Sequence, residues 1–149
     1  MSNLNSTMKI RILLVDDEEK IINMLSRHFR FKGYEVYIAK NGREALEQLE
    51  QIKIDIIISD IKMPILSGID LLRSVRRHYP MIHVIMITGY VTLDNVLACM
   101  RLGADSCIFK PFEDMDELDE AVDYATKNIK QWLDVLNTLA DIKKQKEAV

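Results

Sequence analysis

The chain has 149 residues, 48% of them hydrophobic and 29% charged, with a formal net charge of −3. That length suits one domain with room for an appendage. The charge balance excludes nucleic-acid binding through overall charge, and no run nears the roughly 18 apolar residues of a membrane span. The start, MSNLNSTMK, is polar, and the apolar run behind it is too short for a secretory signal. The chain is therefore expected in the cytoplasm, with residues 1–8 disordered. Cys99 and Cys107 lack metal-ligand spacing and read as two buried, reduced thiols.

IRILLV (10–15) is the first apolar run, and it leads straight into Asp16, Asp17, Glu18 and Glu19. A helical pattern follows, with Ile21, Ile22, Leu25 and Phe29 on one face, and stops at Gly33. VYIA (36–39) comes next, then a second helix starting near Asn41 and carrying Ala45, Leu46 and Leu49. IDIIIS (54–59) runs up to Asp60. A third helix starts at Ser67, which has capping-box spacing to Asp70, and carries Leu71, Leu72 and Val75. HVIMI (83–87) leads to Thr88, and a fourth helix carries Val96, Leu97 and Met100 before Gly103. CIF (107–109) ends at Lys110-Pro111.

No Gly or Pro follows Pro111, so a fifth helix is expected from near Asp114. At about 30 residues it is about 45 Å long, against a radius of gyration of about 13–14 Å for a domain of this size. The division is then residues 9–126 as a domain and 127–149 as a helical extension. Val122, Ala125, Ile129, Trp132, Leu136 and Leu139 recur at steps of three and four, a heptad seam. Left exposed, that stripe marks an interface, and we expect a homodimer through this helix. The same helix would join an output domain if the chain is part of a longer protein.

Short runs rich in Ile and Val, without polar alternation, read as strands buried on both faces. Five of them alternating with helices make an α/β fold, a doubly wound parallel sheet. The flavodoxin-like order 2-1-3-4-5 follows for a five-stranded (βα)5 unit, and its ligand site lies beyond the carboxyl ends of strands 1 and 3. Asp16 and Asp17, Asp60, Thr88 and Lys110 all fall at such strand ends. Taken singly each has a plain explanation, as a helix cap, a turn residue or a solvated strand end. Together they place three carboxylates, a hydroxyl and an ammonium on one rim. Three close carboxylates repel unless a cation compensates, and Mg²⁺ is the hard cation that binds through few carboxylates and engages phosphate. A carboxylate can also attack phosphorus, and Asp60 is the candidate. Glu18 and Glu19 read as first-turn helix residues outside the site.

VDDE with Asp16 and Asp17, SDIKMPILSG (59–68) with Asp60, MITGY with Thr88, and FKPF (109–112) with Lys110 stand in order. From about Lys9 to Ala125 the sequence resembles the receiver domain of two-component response regulators. ITGYVTLDNVLACMRLGAD is most similar to receivers of enhancer-binding transcription activators. The resemblance implies that Asp60 takes a phosphoryl group from a histidine kinase or phosphotransfer protein. It implies that Asp17, Asp60 and the backbone carbonyl of Lys62 bind Mg²⁺, with Asp16 reaching it through water. Thr88 and Lys110 would hold the phosphoryl oxygens, and the Lys-Pro peptide bond would be cis. The family usually carries Tyr or Phe three residues before the Lys; here it is Cys107, with Tyr90 a possible substitute. Lys62 and Tyr90, two positions beyond Asp60 and Thr88, are placed to hinder the hydrolytic water.

Three other classes compete. A flavin-binding relative of the fold needs a phosphate seat after strand 1, where four acids would repel it. A phosphatase using a strand-1 Asp needs a second Asp where Glu18 stands. A receiver-like interaction module working without phosphorylation usually has lost an acid or the Lys, and none is lost here. No enzymatic turnover is expected beyond the chain's own phosphorylation and dephosphorylation, and no nucleic-acid or membrane partner.

Overall fold

The computed structural model describes residues 8–89 and 92–148. In chain order it contains β1 (Arg11–Val15), α1 (Glu19–Phe31), β2 (Glu35–Ala39), α2 (Gly42–Leu49) and β3 (Ile56–Asp60). There follow α3 (Gly68–His78), β4 (His83–Thr88), α4 (Leu93–Arg101), β5 (Ser106–Phe109) and α5 (Asp116–Glu147). The five strands form one parallel sheet in the order β2-β1-β3-β4-β5. That is the order expected from the pattern. The expected disorder of residues 1–8 falls, Met8 apart, outside the described residues.

Strand alternation divides the core in two. Ile12, Leu14, Ile56, Ile58, Ile85 and Ile87 face Leu25 and Phe29 of α1 and Leu118, Val122 and Ala125 of α5. Their neighbours in sequence, Leu13, Val15, Ile57, Val84 and Met86, face Ala45, Leu49, Leu71, Leu72 and Val75 of α2 and α3, and Cys99 of α4. Both faces are covered, which is why the middles of β1, β3 and β4 are apolar and their polar residues sit at the strand ends. Each such side chain contributes about 1.5–3 kcal/mol on burial.

The helix starts follow side-chain chemistry. Asn41, Ser67 and Thr92 accept the backbone N–H of Glu44, Asp70 and Asn95. Glu18, the cap of α1, makes no such bond. Gly33 and Gly103 follow α1 and α4 at φ 100° and 74°, a region that favours glycine.

α5 is a 32-residue helix, about 48 Å long. It begins at Asp116, two residues later than expected, because Asp114 Oδ1 accepts the N–H of Asp116 at 2.9 Å and holds the preceding turn. Trp132, Val135, Leu136, Leu139 and Ile142 lie exposed along its second half. Among the described residues no helix is long and apolar enough to cross a membrane.

Candidate functional site

Every group that the sequence placed on the rim comes from the carboxyl end of a strand, and the sheet order brings those ends together. Asp16 follows β1 and is buried; Asp17 beside it is exposed. Asp60 closes β3 with 5% of its surface exposed. Ligand oxygens of Asp16, Asp17 and Asp60 lie within 4.8 Å of one another. Lys110 reaches across from beyond β5. Its Nζ donates to Asp16 Oδ2 at 2.8 Å and to Asp60 Oδ2 at 3.0 Å.

The remaining oxygens are occupied by the backbone. Asp16 Oδ1 accepts the Glu18 N–H at 2.9 Å, and Asp60 Oδ1 accepts the Ile61 N–H at 2.7 Å. Thr88, fully buried at the end of β4, lends its carbonyl to the Lys110 N–H at 2.8 Å. The backbone of Lys110 is thereby pinned to β4 while its side chain spans to β3 and β1. The Lys110-Pro111 bond is cis, as the resemblance implied.

Glu18 is the site residue that the sequence reading missed. Its Oε1 lies 3.3 Å from Lys110 Nζ, although the side chain is 60% exposed. A signal was there: glutamate is a poor helix cap, so a Glu at that position leaves its carboxylate for another partner.

Three carboxylates, those of Asp16, Glu18 and Asp60, thus contact one ammonium, and Asp17 lies beside Asp16 and Asp60. Burial pushes the Asp16 carboxyl above its ordinary range, and the Lys110 and Glu18 hydrogen bonds pull it back only in part. Burial acts the other way on Lys110, lowering it, but the hydrogen bonds and charges of Asp16 and Asp60 outweigh that and raise it. The ammonium stays charged while the acids remain in excess. An all-oxygen, net-negative donor set of this kind fits a hard divalent ion such as Mg²⁺.

The loop from Ile61 to Ser67 is tied closely to the site. The Gly68 N–H donates to Ile61 O at 2.8 Å. A Cβ on Gly68 would stand 1.9 Å from the carbonyl oxygen of Asp60, so only glycine fits. Lys62 is exposed on this loop. At Ile65 the chain takes φ 71°, and the Leu66 N–H donates to Pro64 O at 2.8 Å, forming a γ-turn of the strained, positive-φ kind. A β-branched residue in this region costs about 1–2 kcal/mol.

Cys107 is half-buried on β5 and packs against the cluster that contains Cys99; both are free. Burial, with the neighbouring Cys107 second, pushes the Cys99 thiol up to about 11, so it stays protonated. Tyr90 lies outside the described residues, and with it the expectation that its ring substitutes for an aromatic at 107. His28 is half-buried at the core edge, with Nε2 2.7 Å from Asp119 Oδ1 on α5. It is remote from the rim in the sequence and linked to none of its groups by the bonds described.

Residues 12–123 match the response regulator receiver domain, and the chain belongs to that family. It is 40% identical over 115 residues to regulatory protein AtoC of Escherichia coli, covering 77% of this chain and 25% of AtoC. It is 36% identical over 115 residues to sporulation initiation phosphotransferase F of Bacillus subtilis, covering 77% of this chain and 92% of that protein. The chain therefore spans a quarter of the first relative and nearly all of the second. Among solved structures, response regulator TrrA of Thermotoga maritima, in complex with Mg²⁺ and BeF, superposes with a TM-score of 0.71 at 36% identity. That match covers 79% of this chain and 99% of TrrA.

Proposed function

We propose that Asp60 is the phosphoacceptor of a two-component phosphorelay, charged by a histidine kinase or phosphotransfer protein in the cytoplasm. The observation that carries this reading is the Lys110 ammonium held between the buried carboxylates of Asp16 and Asp60, with Asp17 alongside. Mg²⁺ would be held by Asp17, Asp60 and the Lys62 carbonyl, with Asp16 acting through water. When bound, it supplies charge neutralisation between the acids and an incoming phosphoryl group.

In the transfer, a carboxylate oxygen of Asp60 attacks the phosphorus of a phosphohistidine. The P–N bond breaks, its electron pair stays on the imidazole, and that nitrogen takes up a proton. Lys110 then exchanges a carboxylate partner for a phosphoryl oxygen, and the Thr88 hydroxyl donates to another. The chain's own residues position and neutralise; the only covalent change is at Asp60. The readout runs through the β4–α4 region around Thr88, because Cys107 is too small to mimic an aromatic's inward and outward states.

The test is labelling with acetyl phosphate in the presence of Mg²⁺, read by intact mass and by mapping of the modified peptide. Parent protein gains one phosphoryl group at Asp60, Asp60→Asn gains none, and Asp17→Asn needs far more Mg²⁺. Undiminished labelling of Asp60→Asn rejects the assignment.

A further inference from the structure

Ile65 occupies the one non-glycine position with positive φ among the described residues, at the centre of the Pro64–Leu66 γ-turn. Glycine or asparagine fits that conformation with less strain. Burial does not compensate: the side chain is 73% exposed and belongs to neither core cluster of the described residues. A strained backbone carrying an exposed apolar side chain points to a use outside the free chain.

Its place suggests the use. The turn is fastened on both sides. Leu66 O accepts the Gly42 N–H at 3.1 Å, and the Gly68 N–H reaches Ile61 O at 2.8 Å, right beside Asp60. Ile65 is thus a fixed projection on the rim around a carboxylate that is itself only 5% exposed. A protein that brings phosphorus into bonding distance of so sunken an oxygen has to press against that rim. The charged rim residues Asp17, Glu18 and Lys62 are exposed as well, and long or hydrated side chains give little on contact. A rigidly held isoleucine is the kind of apolar anchor that fills a partner's pocket.

We propose that Ile65 is a docking anchor for the phosphodonor protein, seated in an apolar depression beside the donor's phosphorylated imidazole. This rests on the reading of Asp60 as the phosphoacceptor. The γ-turn presents the side chain outward, and the two fastenings keep it in register with Asp60. A small-molecule donor needs no such contact.

The experiment compares parent with Ile65→Asn, Ile65→Gly and Ile65→Val. Phosphorylation is followed from acetyl phosphate and from the autophosphorylated histidine kinase, among those of the source organism, that labels the parent fastest. Asn and Gly are expected to raise the thermal midpoint and leave acetyl phosphate labelling within about twofold. They should lower kcat/KM for transfer from the kinase by about tenfold or more, mainly through KM, as loss of a buried aliphatic contact requires. Ile65→Val, which keeps the branch, should stay within about threefold of parent. Equal kinase transfer in Ile65→Asn and parent overturns the proposal. So does a parallel fall in acetyl phosphate labelling, which would make Ile65 a residue of loop geometry. So does a parent labelled by acetyl phosphate but by no kinase. A parent that acetyl phosphate cannot label with Mg²⁺ present sinks the phosphoacceptor reading itself.

Discussion

Lys110 faces more negative charge than one ammonium can neutralise, and that imbalance has opposite consequences for its neighbours. Removing the cation leaves Asp16 and Asp60, both buried, facing each other. Lys110→Met should lose about 3 kcal/mol of stability without divalent ions. Asp60→Asn removes one of the repelling acids and should gain about 1 kcal/mol under the same conditions. Urea unfolding in EDTA measures both; a Lys110→Met midpoint equal to that of parent contradicts the electrostatic account. The acids, Thr88 and Lys110 were legible in the sequence because each follows an apolar run at a strand's carboxyl end. Glu18 was not, since its charge suited the first turn of α1 and its failure as a cap went unused. Nor was the γ-turn at Ile65, because propensity argues against a β-branched residue at positive φ. Only the packing of that loop on Gly42 and Asp60 over-rides it.

Among the elements, β4 is clamped at both ends by polar groups. At its start, His83 lies between two acceptors, with Nδ1 3.0 Å from Asp105 Oδ1 and Nε2 3.1 Å from Asn128 Oδ1 of α5. Asp105 Oδ2 also takes the Val84 N–H at 2.7 Å and lies 3.4 Å from Arg76 of α3. Only the doubly protonated imidazole can donate to both acceptors. The Asp105 hydrogen bond raises His83 above its ordinary value near 6.5, against the effect of burial. A raised folded-state value means stability that is complete below about pH 6.5 and is lost as pH rises through the folded value. The urea midpoint of parent should therefore fall between pH 6 and pH 9, and that of His83→Gln should fall less; parallel curves would rule out the clamp. Strand and helix order were readable from period and punctuation alone. This cross-link was not, because the residues joined, Arg76, His83, Asp105 and Asn128, share no local pattern and meet only once the sheet has closed.

At the scale of the whole molecule, α5 changes surroundings along its length. Leu118, Val122 and Ala125 are buried against the sheet, while Trp132, at 58% exposure, and Leu136 and Leu139 face solvent. The helix is continuous from Asp116 to Glu147 across residue 126, and beyond that residue Asn128 still bonds His83 and Ile129 still packs on the core. We propose that the outer half pairs with a second copy, since an apolar stripe of this length is an association surface. Sedimentation at tens of micromolar should give a dimer for the full chain and a monomer for a version ending at Thr126. Two monomers would remove α5 as a dimer element. The sheet order has one further consequence, in the time taken to make the protein. Asp16 and Lys110 are partners 94 residues apart, contributed from either side of the sheet's middle by the first strand and the last. A nascent chain that has reached only Thr88 owns all the acids and no cation to gather them, and β4 has no outer neighbour. The rim therefore exists only once β5 has been synthesised and has docked, so under the role proposed for Asp60 an unfinished copy would not compete with finished ones for a phosphodonor.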